Sequence, residues 1–316
     1  MTQHSRKSIL DACILIGGPT AVGKSQVAML VAERVGGEIV SVDSMQVYRG
    51  MDIGTAKPSR EDRARVPHHL IDVVDVTEQF NAARFVELAE QAVSDIISRR
   101  KVPILSGGTG LYFKAFLEGI GQGPPPDPEL RKELESQPIE VLLEELAVCD
   151  PSTYAVIDRR NKRRVVRAVE VIRLTGRPFS ELKSPWNDGT LGEWSQRFFI
   201  LNREPDDLRR RIYDRVDKMF EAGLVEETRR LLESGLASNP TAMQAIGYRQ
   251  VVEYLRGERS LAETVEVVKK RTWEYARRQL SWFRHQLCGR WILIGQDEPL
   301  EMVAEKILEV VRKGVD

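Results

Sequence analysis

The sequence predicts an α/β protein: a parallel sheet with helices on both faces, interrupted by a helical insertion and completed by long helices towards the C-terminus. Three observations carry this. Short apolar or β-branched runs alternate with amphipathic stretches of helical period along the first hundred residues. The earliest run passes through glycines directly into a helix. A proline- and glycine-rich break then leads into a stretch with helical periodicity alone.

In order, Ala12–Gly18 (ACILIGG) is a buried strand ending in glycines, and Lys24–Arg34 is the amphipathic helix that follows it. Glu38–Asp43 (EIVSVD) is a second strand. After a loop marked by Gly50, Gly54 and Pro58 come a strand over His69–Val76 and a helix over Asn81–Arg100. Val102–Ser106 (VPILS) closes another strand–helix unit. In Gly121–Pro128 (GQGPPPDP), two glycines and four prolines forbid a helix and mark a hinge or domain boundary. Glu129–Arg177 reads as helical, and Arg197–Asn202 (RFFILN) as a return to the sheet. Helical runs follow at Pro205–Ser234, Thr241–Leu255 and Leu261–Leu287, then a short strand at Trp291–Ile294 and a helix at Leu300–Arg312. The expected division is a core from 1–120 and 196–316 around a helical insertion at 121–195.

Composition excludes several classes. With 316 residues, 42% of them hydrophobic, the chain has roughly two domains' worth of material. No stretch approaches the roughly 18 consecutive apolar residues of a membrane span. The polar opening MTQHSRKSILDA lacks the apolar region of a signal peptide, so a cytoplasmic protein is expected. Cys13, Cys149 and Cys288 are too scattered for a disulfide framework or a C-x-x-C site, and His4, His68, His69 and His285 show no metal-ligand spacing. Lys plus Arg number 47 and Asp plus Glu number 47, a balance that argues against a uniformly basic nucleic-acid coat but is silent about patches.

Gly18–Ser25 (GPTAVGKS) fits G-x-x-x-x-G-K-[ST] at every fixed position and lies between a strand and a helix, where a phosphate-binding loop belongs. The core is therefore expected to be P-loop NTPase-like. Backbone N–H groups of Gly18, Pro19, Thr20, Ala21, Val22 and Gly23, proline excepted, turn around a diphosphate at the positive end of the helix. Lys24 adds a charge, and the Ser25 hydroxyl suits Mg²⁺. A guanine-specific enzyme is excluded, because the only Asn-Lys pair, Asn161-Lys162, is followed by Arg164 where an Asp is required. A kinase is not.

Asp43, at the C-terminal tip of the second strand, is open to two readings: a group facing the phosphate loop, or a turn aspartate. Gly107–Leu111 (GGTGL) is either a second ligand-facing turn exposing Thr109 or a simple chain reversal. Charge is divided sharply in the insertion. Residues 126–158 hold nine acidic and two basic side chains, a net −7, whereas 159–183 hold nine basic and two acidic, a net +7. A second basic cluster, at Lys269–Arg290, is interleaved with Trp273, Tyr275, Trp282 and Phe283. Cations mixed with aromatics suit looped RNA, although a solvated helix face and core packing explain the same residues.

Eight segments in order, GPTAVGKS, SVDSMQVY, MDIGTAKP, VPHHLID, GGTGLY, RVDKMFEAGLVEE, QAIGYRQ and YARRQLSWFR, together resemble the bacterial tRNA dimethylallyltransferases, also called tRNA isopentenyltransferases, and span residues 18–284. The resemblance implies Mg²⁺-dependent transfer of a dimethylallyl group from dimethylallyl diphosphate to N6 of the adenosine 3′ of the anticodon, in tRNAs reading codons that start with U. It makes Asp43 the general base, and places Thr20 and Arg215 at the diphosphate, with Arg211 one helical turn away as the competing choice. It implies that Ser44, Met45 and Gln46 hold the flipped adenosine, and that Thr109 and Arg131 make further tRNA contacts. It assigns the anticodon stem-loop to Arg163, Arg164, Val165, Val166 and Arg167, to Ala245, Gly247, Tyr248 and Arg249, and to Arg278, Gln279 and Trp282.

The chain departs from the family's common Gln-Arg-Leu-x-Arg at Arg163–Arg167 (RRVVR), and has no pair of cysteines or histidines for the C-terminal zinc finger of eukaryotic members. A monomer is expected, with no obligate protein partner. The rival functions are a P-loop kinase or a prenyltransferase acting on a free adenine nucleotide, and a nucleotide-gated RNA-binding protein.

Overall fold

A computed structural model of the chain describes residues 10–184, 186 and 193–313. It divides into two compact units, one formed by Met1–Leu117 with Asp188–Asp316, the other by Glu118–Asn187.

The larger unit is built on six parallel strands, β1 (Ile14–Gly17), β2 (Glu38–Val42), β3 (His68–His69), β4 (Pro103–Gly107), β5 (Phe198–Arg203) and β6 (Arg290–Ile294), in the order β3-β2-β4-β1-β5-β6. Ile14 pairs with Ile104 and Leu15 with Phe198, which makes β1 a central strand. β1 and β2 are buried along their whole length, as expected of a parallel sheet covered on both faces. Successive side chains point to opposite faces and feed two separate cores. Leu15, Val40, Leu105 and Phe198 pack with Phe113 and Phe283 on one side, while Ile14, Ile16, Ile39 and Phe199 pack with Val27, Leu208 and Ile307 on the other.

The helices of the first part are α1 (Lys24–Val35), α2 (Arg60–Arg65), α3 (Ala82–Ser98) and α4 (Gly110–Glu118). The second unit contains α5 (Pro128–Ser136), α6 (Ile139–Cys149), α7 (Pro151–Val156), α8 (Lys162–Thr175) and α9 (Phe179–Leu182), around a core of Leu134, Leu142, Leu146, Val165 and Val169. α10 (Pro205–Glu221), α11 (Leu224–Glu233), α12 (Tyr248–Leu255), α13 (Leu261–Gln286) and α14 (Leu300–Lys313) complete the larger unit. No helix among the described residues is long and apolar enough to cross a membrane.

Three expectations are corrected. The strand over His69–Val76 shrinks to His68–His69, because Leu70 and Asp72 adopt left-handed backbone (φ 62° and 56°), and the Asp72 carboxylate pairs with Lys57 and Arg63. The run Pro205–Ser234 is two helices, broken where Gly223 takes φ 96°. Thr241–Leu255 begins as a 3₁₀ turn and becomes α-helical only after Gly247. Gly121–Pro128, read as a hinge or domain boundary, begins just after the division at Leu117 and Glu118, and in it Arg167 Nη2 donates to Pro124 O at 2.6 Å and Glu170 Oε1 accepts from Asp127 N.

Candidate active site

The loop Gly18–Gly23, expected from the sequence to bind phosphate, joins β1 to α1. Gly18 takes φ 145°, and a Cβ there would lie 2.5 Å from Leu201 O; Gly23 takes φ 110°. Ala21 adopts left-handed backbone without being glycine, at φ 63°. The loop is held in this shape from outside. Arg203 Nε donates to Val22 O and Arg211 Nε to Ala21 O, both at 3.0 Å, while Thr20 N donates to Gln279 Oε1 at 2.9 Å. α1 has no side-chain cap at Gly23 and no acidic residue in its first turn. Its first amides and positive dipole end are therefore left for an anion. Lys24 Nζ donates to Pro19 O at 2.6 Å. Burial lowers the Lys24 pKa to about 7, with the Arg215 guanidinium acting in the same direction and Asp43 against both.

At the tip of β2, Asp43 fulfils the turn reading with one oxygen. Its Oδ1 accepts from Met45 N at 2.8 Å and Gln46 N at 3.2 Å, and Oδ2 has no hydrogen bond among the described residues. Ser44 N donates to Thr109 Oγ1, and the Gln46 amide lies between Ser41 Oγ and Thr55 O. Thr20, Lys24, Ser25 and Arg215 share a cleft of about 420 Å³ with Asp43, Ser44, Met45 and Gln46. Ala245, Arg278 and Gln279 line it too. A second recess of about 800 Å³ also opens on Lys24, Ser25 and Arg215, and is walled by Arg60, Arg63, Arg211 and Lys218. Arg215 thus faces both spaces and Arg211 only the second.

Several predicted contacts have other occupations. The Tyr248 side chain is fully buried, and its hydroxyl donates to Glu227 Oε1 and accepts from Gly54 N, so it is not offered to RNA. Glu227 also accepts from Asp52 N and Ile53 N, and Lys57 Nζ donates to Tyr48 O. Three of the quoted segments therefore meet as a clamp on the Met51–Pro58 loop. Gly247 supplies the φ of 98° from which α12 starts, and Arg249 is exposed beside Glu253. Two glycines of the GGTGL segment make room for α13, and Gly107 and Gly108 also line the cleft. A Cβ on Gly108 would lie 2.2 Å from Gln279 Nε2, and one on Gly110 would lie 2.0 Å from the Trp282 ring. Trp282 packs there, its Nε1 buried without a partner among the described residues.

In the second unit, Val165 and Val166 are core residues, 0% and 2% exposed, and their side chains are removed from the set of RNA contacts. Arg131 and Arg167 both bond Oε2 of the fully buried Glu170, at 2.5 and 2.6 Å. Arg163 and Arg164 are exposed.

Tyr275 was absent from the expected site. It lines the cleft with its hydroxyl beside Thr109 and Gln279, and burial together with the Asp43 charge raises its pKa. Its place one helical turn before Gln279 was the available signal.

Residues 46–286 match the family model described as IPP transferase. The chain is 47% identical over 279 residues to tRNA dimethylallyltransferase 1 of Citrifermentans bemidjiense, covering 88% of this chain and 91% of that one. It is 41% identical over 311 residues to the tRNA dimethylallyltransferase of Pelotomaculum thermopropionicum, covering 97% and 98%. Among solved structures, the full-length tRNA isopentenylpyrophosphate transferase of Bacillus halodurans superposes with a TM-score of 0.68 at 38% identity, over 95% of this chain and 97% of that one. A eukaryotic dimethylallyltransferase acting on tRNA gives 0.71 at 28% identity, over 90% and 73%. From residues to comparisons the direction is the same: the chain belongs to the IPP transferase family.

Proposed function

We propose that the chain transfers a dimethylallyl group from dimethylallyl diphosphate to N6 of the adenosine 3′-adjacent to the anticodon, in tRNAs reading codons that start with U, releasing diphosphate. The observation that carries this reading is the shared cleft: an uncapped helix N-terminus with Lys24 and Arg215, and a carboxylate with one unengaged oxygen, open into the same space.

The N6 lone pair attacks C1 of the dimethylallyl group as the C1–O bond breaks, and that bonding pair leaves with the diphosphate. The N6 proton goes to Asp43 Oδ2, which acts as general base while Oδ1 keeps the turn in place. Negative charge grows on the departing oxygen, so the α1 amides, Lys24 and Arg215 stabilise the transition state more than the ground state. The Thr20 hydroxyl contacts the bridging oxygen. Among the described residues there is no cluster of three His, Cys, Asp or Glu side chains. Ser25 Oγ would therefore be the chain's ligand to Mg²⁺, with diphosphate oxygens and water completing a shell suited to that ion. When bound, the ion supplies further neutralisation of the leaving group.

N6 cannot reach the cleft from inside a stacked loop, so the base is extruded and held by Ser44, Met45 and Gln46. Arg278 and the exposed arginines of α8 meet RNA phosphates. The reading carries with it a monomer acting on tRNA in the cytoplasm.

The test incubates the protein with Mg²⁺, dimethylallyl diphosphate labelled in the allyl group, and an anticodon stem-loop with A at the third anticodon position and A next to it. Label is expected in the RNA. Label left wholly in dimethylallyl diphosphate overturns the assignment.

A further inference from the structure

Gln279, counted by resemblance among the RNA contacts, has both ends of its amide committed inside the chain. Oε1 accepts from Thr20 N and Nε2 donates to Gly108 O, each at 2.9 Å, and the side chain is 7% exposed. The room it occupies exists because Gly108 lacks a Cβ. Its donor and acceptor ends therefore tie three separate segments together: the phosphate-binding loop, the turn after β4, and α13. The link extends further, since Tyr275 places its hydroxyl beside both Gln279 and Thr109, and Thr109 Oγ1 accepts from Ser44 N next to Asp43.

The bond to Thr20 also changes how the loop is used. A phosphate-binding loop normally turns its N–H groups inward on the ligand. Here the Thr20 N–H is directed at Gln279, and Thr20 lines the cleft. We propose that Gln279 is a positioning residue: it withdraws the Thr20 amide from the cradle and so aims the Thr20 hydroxyl at the bridging oxygen of the diphosphate. The inference rests on the reading above that Thr20 contacts that oxygen. A buried primary amide suits the task because it is neutral, donates and accepts at once, and adds no charge beside a dianion.

The test is a double-mutant cycle between Thr20→Ala and Gln279→Leu, read as kcat, KM for dimethylallyl diphosphate, and affinity for the anticodon stem-loop. Gln279→Leu should lower kcat by about 10²-fold, the cost of an ångström-scale misplacement, with RNA affinity unchanged. In the Thr20→Ala background the same change should cost little, because residues acting as one unit are not additive. Gly108→Ala, which drives a methyl group into the amide, should reproduce the Gln279→Leu defect. Gln279→Glu separates positioning from misfolding. As a carboxylate it keeps an acceptor for Thr20 N but repels Gly108 O; protonated, it again donates and accepts. Its rate relative to the unsubstituted chain should therefore climb towards unity as pH falls from 8 to 6.

Loss of RNA affinity with unchanged kcat, strict additivity in the cycle, or a Gln279→Glu ratio that stays flat with pH would each overturn the proposal. A silent Thr20→Ala beside a slow Gln279→Leu would also overturn it. Absence of transfer by the unsubstituted chain is a separate result, and removes the reading on which the proposal stands.

Discussion

The Tyr248 hydroxyl donates to Glu227 Oε1 at 2.5 Å while accepting from Gly54 N, so a phenol on α12 and a carboxylate on α11 together hold the loop that borders the cleft. Burial and the neighbouring carboxylate both raise the Tyr248 pKa, which keeps the phenol protonated and donating throughout the useful pH range. Tyr248→Phe should leave Glu227 and Gly54 N short of a partner and destabilise the larger unit by about 1–3 kcal/mol, the cost of an unsatisfied buried polar group. Denaturant midpoints measure this, and amide exchange at Asp52, Ile53 and Gly54 should quicken. Unaltered midpoints with weakened RNA binding would return Tyr248 to the interface.

Lys24 predicts a proton linkage. Its pKa is pushed down to about 7 by burial, with Arg215 acting in the same direction, so the empty cleft at pH 8 holds mostly the neutral amine. A bound diphosphate favours the charged form and pulls a proton from solvent. Affinity for inorganic diphosphate should therefore weaken as pH rises above about 7, by up to about tenfold per unit for one linked proton. Titration calorimetry at pH 8, in two buffers of different ionisation enthalpy, should give different heats corresponding to net proton uptake. Identical heats would contradict a neutral resting Lys24. The folding linkage has the opposite sense: the native chain binds this proton more weakly than the unfolded one, so this group's contribution to stability rises with pH between about 7 and 10.5.

Two arginines of α8 that look alike in the sequence should behave differently. Arg167 shares the buried Glu170 carboxylate with Arg131 and reaches Pro124 O, whereas the exposed Arg164 has no acidic partner among the described residues. Arg164→Ala should lower the slope of log affinity against log salt by about 0.7–0.9, one phosphate contact, with stability intact. Glu170→Gln should destabilise the second unit by about 3 kcal/mol, the low end for breaking a buried pair because both guanidiniums keep some solvent. An unchanged salt slope in Arg164→Ala would make that side chain an ordinary solvated charge.

The parallel sheet was legible because β1, β2, β4 and β5 are apolar runs that need cover on both faces, and Lys24–Val35 follows its glycines with a clear helical period. The strand-to-helix turn at Gly18–Gly23 was legible because its backbone imposes residue types. Gln279, Tyr275, Glu227 and Glu170 were not legible in those roles, since each acts on a group distant in sequence: Gln279 bonds Thr20 across 259 positions, and Glu227 reaches Ile53 across 174. Periodicity reports which face of a helix is buried, not which loop carbonyl or amide waits there. The glycines of GGTGL left two readings open for the same reason. Their absent Cβ atoms make room for Gln279 and Trp282, and no local pattern distinguishes that from an opening for a ligand.

Asp43 holds a turn and is proposed to act as the base, and two substitutions separate these tasks. Asp43→Asn keeps an oxygen for Met45 N and Gln46 N but offers no base, so single-turnover transfer should slow by roughly 10²–10⁴-fold with RNA affinity and the turn preserved. Asp43→Ala removes the turn acceptor as well. Met45 and Gln46 then lose the bond that sets their backbone, and the cleft wall proposed to hold the adenosine loosens. Asp43→Ala should therefore lose as much in rate and also weaken binding of the stem-loop, whereas Asp43→Asn should bind it normally. Rates with RNA prebound, alongside equilibrium binding of the same RNA, distinguish the cases. If the Asn variant transfers at the unsubstituted rate, proton removal is not the task of this carboxylate. If both variants bind RNA equally well, the Oδ1 turn does not shape the adenosine side of the cleft.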